Sequence, residues 1–239
     1  MDALNYEKNL SENGYIIVDD YYTIDEVTQM GLLVENATVS GPAFRKTNDL
    51  FAIRLVLIEI PELAGLVFNS KLRAFINSLF GKGYFVVKSI YFDKPGQSNW
   101  FVAWHQDITI SAKNRIEAIG FTHWLSKHNQ YSVQPPVEVL QNIFTIRIHL
   151  DDTNEDNGAL KVIKGSHKMG IIRPETINWD KETPEVCNVN KGGLMILKPL
   201  LLHASSKTTN QNNRRVIHIE FSNLDLPNGM DWAELQYLD

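Results

Sequence analysis

A chain of 239 residues with 44% hydrophobic and 21% charged residues can bury a large core and is too mixed for a disordered or low-complexity polymer. Its 23 basic residues against 28 acidic ones give a net charge of -5 without a basic stripe, so it lacks the electrostatic footprint of a nucleic-acid binder. The single cysteine, Cys187, excludes an internal disulfide framework and fits a reducing compartment; residues 1–13 are too polar for a signal peptide, and no apolar run approaches the ~20 residues that span a bilayer. A soluble, cytoplasmic protein is expected, with a small-molecule partner, no nucleic acid and no membrane, as a monomer or homodimer.

The first third reads as mainly helical. Residues 6–10 suggest a short helix, and residues 15–18, after Gly14, a strand. Thr23-Ile24-Asp25-Glu26 is a capping box for a helix running to about residue 39, with Gly41-Pro42 as its stop. Pro61 followed by Glu62 marks another helix start, and Ser70 caps a helix over 71–80 that Gly81 ends.

After Gly83 the period changes. Residues 84–92 are rich in β-branched and aromatic side chains and predict a strand; Asp93-Lys94-Pro95-Gly96 predicts a turn, and residues 100–107 a second strand. Residues 111–142 show no clear alternation. They are expected to be a partly helical excursion, an insertion or a lid. From Ile143 the pattern is strongly β. Phe144, Ile146, Ile148 and Leu150 share one face, and Thr145, Arg147 and His149 the other. Strands at 159–163 and 194–198 follow, the second introduced by Gly192-Gly193. In the last strand, 216–221, Ile217, Ile219 and Phe221 oppose Val216, His218 and Glu220, and Arg214 has the parity of the polar set. Short strands behind a helical preface predict a mainly β fold with flanking helices. The expected architecture is a double-stranded β-helix (a cupin-like jelly roll) with the N-terminal helical region packed on one sheet, formed by 1–239 as one domain.

The chemistry concentrates in Trp104-His105-Gln106-Asp107. Residues i and i+2 of an extended segment point the same way, so His105 and Asp107 can grip one ion. The third candidate ligand is His203, far downstream. Two histidines and one carboxylate leave metal positions open, the arrangement of non-haem iron(II) oxygenases; a structural zinc site is usually closed by four protein ligands, often with cysteine. Arg214 begins the strand after His203, where its guanidinium could hold a carboxylate through paired hydrogen bonds. Arg147 and His149 sit on a polar strand face, which suits either solvent or a cavity selecting an anionic substrate. Arg115 and Lys127 could add positive charge, and Trp100, Trp104 and Trp124 could stack on a substrate, although such aromatics also serve as core. His167 and His218 read as structural histidines. Cys187 has no neighbouring base and does not read as a catalytic thiol.

Three segments in order resemble the phytanoyl-CoA dioxygenase family of Fe(II)/2-oxoglutarate-dependent oxygenases. They are Trp104-His105-Gln106-Asp107; the run from His149 through Asp151-Asp152 and Asn157-Gly158 to Gly165-Ser166-His167-Lys168; and His203-Ala204-Ser205 with Arg214. Gly14-Tyr15-Ile16-Ile17-Val18 also fits. The resemblance implies that His105, Asp107 and His203 bind and activate iron. It implies that Arg214 and Ser205 hold 2-oxoglutarate, that Lys88 also reaches the co-substrate, and that Arg147 faces the cavity; by residue type, Arg147, His149 and Trp124 are candidate substrate contacts. Related halogenases lack the carboxylate ligand, so Asp107 implies hydroxylation with O2, releasing succinate and CO2. Two other readings of the same residues stay open: a jelly-roll ligand-binding module without turnover, and a cupin-like metalloenzyme that does not use 2-oxoglutarate.

Overall fold

The computed structural model describes residues 3–37, 43–49, 51–127 and 130–238. Its N-terminal elements follow their local signals. Helix α1 (Ala3–Asn13) turns into strand β1 (Tyr15–Val18) at Gly14, whose φ is +84°. A Cβ there would also lie 2.5 Å from Nδ1 of His167, so only glycine suits this turn. Helix α2 (Ile24–Asn36) opens on a reciprocal cap: Thr23 Oγ1 accepts from the Glu26 N–H at 3.2 Å, and the Glu26 carboxylate accepts from the Thr23 N–H at 2.8 Å. It stops three residues short of the expected end, and the Gly41-Pro42 stop lies outside the described residues. Strands β2 (Phe44–Lys46) and β3 (Phe51–Arg54) pair antiparallel, followed by α3 (Val56–Glu59), α4 (Pro61–Val67, with Pro61 in its first turn) and α5 (Ser70–Phe80). Asn69, not Ser70, caps α5, its Oδ1 accepting from the Leu72 N–H at 2.9 Å.

The strands that follow are β4 (Phe85–Lys94), β5 (Val102–His105), β6 (Ile110–Ala112), β7 (Thr122–Lys127) and β8 (Gln130–Gln134). After helix α6 (Val137–Asn142) come β9 (Phe144–His149), β10 (Leu160–Val162), β11 (Glu185–Cys187), β12 (Leu194–Leu197), β13 (His203–Ser205), β14 (Arg214–Ser222) and β15 (Gln236–Tyr237). One sheet has the order β1-β12-β9-β14-β4-β3-β2, with β15 also on β4; a second has the order β11-β10-β13-β5. The chain crosses between these sheets at β4 to β5, β9 to β10, β11 to β12, β12 to β13 and β13 to β14. That alternation is the double-stranded β-helix expected from the sequence.

The large sheet is covered on its outer face by the helical preface. Ile146, Ile148, Ile217 and Ile219 pack there with Met30, Leu63, Leu72 and Ile76. The ring of Phe144 stacks on Phe80, with centroids 3.6 Å apart, and on Phe221 at 4.9 Å. Between the sheets, the β1–β12 end is apolar, with Tyr15, Val162, Met195 and Leu197. The β9–β14–β4 end is where the polar residues gather.

Residues 111–142 differ from the expected aperiodic excursion. The stretch contains a three-stranded antiparallel sheet of order β6-β8-β7, followed by α6. Its apolar residues Ala112, Phe121, Val133 and Leu140 form a core of their own with Val87, Met230 and Trp232. Alternation was invisible because both faces of β7 and β8 are largely half-buried or exposed. No described residue of this stretch lines the central cavity.

Candidate metal and anion site

β5 and β13 are neighbours, and their register sets His105 directly opposite His203. The imidazole centroids are 4.2 Å apart. Asp107 follows β5 by two residues, its N–H donating to the Pro199 carbonyl at 2.9 Å. Its Oδ1 lies 3.7 Å from Nε2 of His105, and its Oδ2 lies 3.7 Å from Nε2 of His203. One ligand atom from each of the three residues lies within 4.8 Å of the others, so the set could hold a metal ion.

Each imidazole is oriented from behind. Nδ1 of His105 donates to the Ala103 carbonyl and Nδ1 of His203 to the Leu201 carbonyl, both at 2.8 Å. With Nδ1 carrying the proton, Nε2 presents a lone pair toward Asp107. Burial drives the His203 pKa down to about 4, with His105 and Arg147 acting the same way against Asp107 and the Leu201 bond, so this ring is neutral at pH 7. Burial works against ionisation of Asp107, but His203, His218, Lys88 and His105 outweigh it and hold the carboxyl well below its usual range. A neutral His203 imidazole and an ionised Asp107 carboxylate are protonation states that suit binding of a divalent metal.

Gln106 faces away from the ion position and fixes the strand end. Its amide nitrogen donates to the carbonyls of Leu200 at 2.6 Å and Gly170 at 2.9 Å, and its oxygen accepts from the Ile172 N–H at 2.8 Å.

The triad lines a cavity of about 200 Å³ whose other walls include Phe92, Trp100, Arg147, Ser205, Arg214 and His218. Arg214 is only 2% exposed, yet among the described residues its Nε and Nη1 have no hydrogen-bond partner. Ser205 Oγ, Arg147 Nε and His149 Nε2 are also buried without partners. Buried polar atoms are nearly always satisfied, so orphans gathered between the two sheets mark a place built for a ligand. Burial, and then Arg147, press the Arg214 pKa down to about 9; burial similarly lowers Arg147 to about 10, and both remain cations at neutral pH. His149 donates from Nδ1 to Thr153 Oγ1 at 2.8 Å; burial and the two arginines keep this ring neutral.

The predicted residues therefore divide. His105, Asp107, His203, Ser205, Arg214 and Arg147 meet in one cavity, with Trp100 on its wall, and His149 lies close enough to both arginines to feel their charge. Lys88 does not line the cavity: its ammonium is 2.7 Å from Glu220 Oε1, although its charge is felt by Asp107. Trp124 is not brought to the cavity. It belongs to the separate core of residues 111–142, packs edge-on against Tyr131 and sits under the guanidinium of Arg115 at 5.8 Å. Trp104 packs against Trp179 at 5.2 Å. The side chain of Lys127 and all of His128 lie outside the described residues.

Two residues exceed the sequence reading. His218 is satisfied, as a structural histidine should be, accepting from Arg147 Nη1 at 3.3 Å and donating to Glu220 at 3.2 Å, yet it also forms cavity wall. Glu220 is the carboxylate that links Lys88 and His218. Its parity with Arg214 in the last strand was the available signal. His167 donates to the Ser11 carbonyl at 3.2 Å, well away from the cavity, and burial lifts the Cys187 thiol to about 12, which keeps it inert.

A family model for phytanoyl-CoA dioxygenase matches residues 10–216. The chain belongs to the phytanoyl-CoA dioxygenase family. As a member it is a non-haem, 2-oxoglutarate-dependent oxygenase, using iron(II), 2-oxoglutarate and dioxygen. No protein with a curated description matches the sequence. Among solved structures, the fold is similar to the non-heme alpha ketoglutarate dependent carbocyclase SnoK from nogalamycin biosynthesis, at 15% identity and TM-score 0.67, over 92% of this chain and 84% of that one. It is also similar to the alpha ketoglutarate dependent epimerase SnoN from the same biosynthesis, at 12% identity and TM-score 0.69, over 92% and 83% of the two chains. A third similar structure is EctD from S. alaskensis with 2-oxoglutarate and 5-hydroxyectoine, at 17% identity and TM-score 0.70, over 91% and 75%. The fold is thus shared with a carbocyclase, an epimerase and a protein seen with 2-oxoglutarate and 5-hydroxyectoine. Among the described residues no helix is long and apolar enough to cross a membrane.

Proposed function

We propose that this family member hydroxylates a C–H bond of a small polar or anionic metabolite, with His105, Asp107 and His203 holding the iron and Arg214 and Ser205 receiving the distal carboxylate of 2-oxoglutarate. The observation that carries the reading is the buried Arg214 guanidinium, unpartnered at two nitrogens, in the same cavity as a preset His-Asp-His triad. The donor set suits iron(II): two imidazole nitrogens and a carboxylate oxygen would hold it, and the cavity they line would leave room for other ligands. When bound, iron would activate dioxygen, the oxidant: one oxygen atom goes into succinate as 2-oxoglutarate loses CO2, and the other into the C–H bond of the metabolite.

The chain's own residues supply position and field. The Ala103 and Leu201 carbonyls fix the faces of the two imidazoles, and Gln106 pins the strand end between them. Arg214 and Ser205 orient a carboxylate between the two sheets. Arg147, anchored by His218, adds a second cation facing the same space, which favours an anionic or strongly polar substrate. Trp100 and Phe92, stacked with centroids 6.3 Å apart, form an apolar wall that excludes water from one side.

Succinate formation tests this directly. Protein with Fe(II), 2-oxoglutarate, ascorbate and a panel of small anionic metabolites is expected to release succinate stoichiometric with a hydroxylated product for one of them, and Asp107→Ala is expected to abolish it. A substrate consumed without gain of oxygen, by ring closure or epimerisation, would replace the hydroxylase reading.

A further inference from the structure

The metal cavity is smaller than a second hollow, of about 540 Å³, that opens between α1, α5 and α6 beside the segment following β12. Small-molecule sites typically measure roughly 300–1,000 Å³, so this one is of ligand size. Its walls are of two kinds. Leu79, Leu140 and Leu200 are buried side chains that give it an apolar floor. Lys198 and Lys168 supply cations at its edge, against Glu7 as the lone carboxylate among the lining residues.

Lys198 is the informative residue. Its backbone is fixed by a hydrogen bond from its N–H to the Gly14 carbonyl at 2.9 Å. Its side chain is half-buried, and among the described residues its ammonium has only the face of Phe80, 5.7 Å from the ring centroid. No carboxylate reaches it, although Glu7 lines the same hollow. Desolvation lowers its pKa, as expected for a cation withdrawn from water without a counter-charge. An ammonium in that state, beside a leucine floor, is complementary to a molecule with an anionic head and a hydrocarbon body.

We propose that this hollow is a second small-molecule site, taking an aliphatic carboxylate whose head pairs with Lys198 and whose chain lies on Leu79, Leu140 and Leu200. The site lies apart from the metal cavity and shares no lining residue with it. It is nevertheless attached to it. The segment that begins at Lys198 continues through the carbonyls of Pro199, Leu200 and Leu201, which hold Asp107, Gln106 and His203 respectively.

The test is calorimetric titration of octanoate into the full chain, with Mn(II) and 2-oxoglutarate saturating so that the arginines of the metal cavity are occupied. Octanoate is expected to bind about tenfold or more tightly than 1-octanol, and Lys198→Met is expected to remove that preference, as loss of a charge-assisted hydrogen bond implies. Gln141→Glu, at an exposed rim position of the same hollow, provides the second variant if Lys198→Met does not fold. It is expected to weaken octanoate severalfold by repulsion and to leave octanol unchanged. Equal affinity for octanoate and octanol, absence of octanoate binding at millimolar concentration, or octanoate binding indifferent to both substitutions would overturn the proposal.

Discussion

The two faces of the large sheet are both buried and could hardly differ more. On the outer face, Phe144, Ile146 and Ile148 of β9 and Ile217, Ile219 and Phe221 of β14 meet the helical preface in a continuous apolar core. On the inner face the same two strands present Thr145, Arg147, His149, Arg214, His218 and Glu220, all nearly inaccessible to water. The outer face holds the fold together, since apolar burial is the main favourable term in folding. The inner face works against it, because each buried cation or orphaned donor carries a desolvation cost. Period-2 geometry lets one strand do both, with the stabilising residues one position away from the functional ones.

That division can be tested from each side. The largest expected effect is on the outer face: Phe221→Ala should destabilise the fold by about 3–5 kcal/mol, with 2-oxoglutarate affinity of the remaining folded protein unchanged. Urea melts and a binding titration on the same sample would check both parts. Next is the inner face: Arg214→Ala should weaken 2-oxoglutarate by roughly 2–5 kcal/mol while leaving the melting temperature unchanged or higher, since it removes a buried cation with unsatisfied donors. If either variant moved both quantities together, the two faces would not be separable.

A third test concerns polar burial beyond the cavity. Glu234, from the C-terminal segment, is 1% exposed and accepts from Ser89 N–H and Oγ, each at 2.6 Å. Burial raises its pKa from 4.5 to about 7, more than the two Ser89 bonds lower it. The folded state therefore binds this proton more tightly than the unfolded one. The stability it contributes is full below about pH 4.5 and is lost as pH rises through about 7. Chemical denaturation between pH 5 and 8 should show a fall of roughly 1–3 kcal/mol from this group, and Glu234→Gln should remove that part of the slope. The smallest effect lies in the preface, where Thr23→Ala should cost about 1 kcal/mol through loss of the α2 cap, with no change at the metal cavity.

How much of this was legible in the chain depends on which forces are local. The Thr23–Glu26 cap, the Pro61 start, the Gly81 stop and the alternation of β9 and β14 are set by neighbours in sequence, and the structure follows them. The parity of Arg214 with His218 and Glu220 was equally readable. Alternation could not tell whether the polar face of β9 met water or a second sheet, because Arg147 and His149 would look the same in either setting. That choice is made by β5, β10 and β13, which close over the face from distant parts of the chain. The β2–β3 pair was missed because its strands are short and flanked by charge, and the sheet within 111–142 because its faces are not cleanly divided. Trp124 resembled a substrate contact by residue type alone; its neighbours in space are Tyr131 and Arg115. The capture of Lys88 by Glu220 was likewise invisible, being a contact across β4 and β14.

The central claim is that the polar inner face is a preset site for iron and a dicarboxylate. Titration of the anaerobic Fe(II) protein with 2-oxoglutarate, followed by visible absorption, tests it most directly. A weak metal-to-ligand charge-transfer band should grow to saturation, fail to form in Asp107→Ala, and need far higher 2-oxoglutarate in Arg214→Ala. Saturable iron binding with no band at any 2-oxoglutarate concentration, or a band indifferent to Arg214, would contradict it.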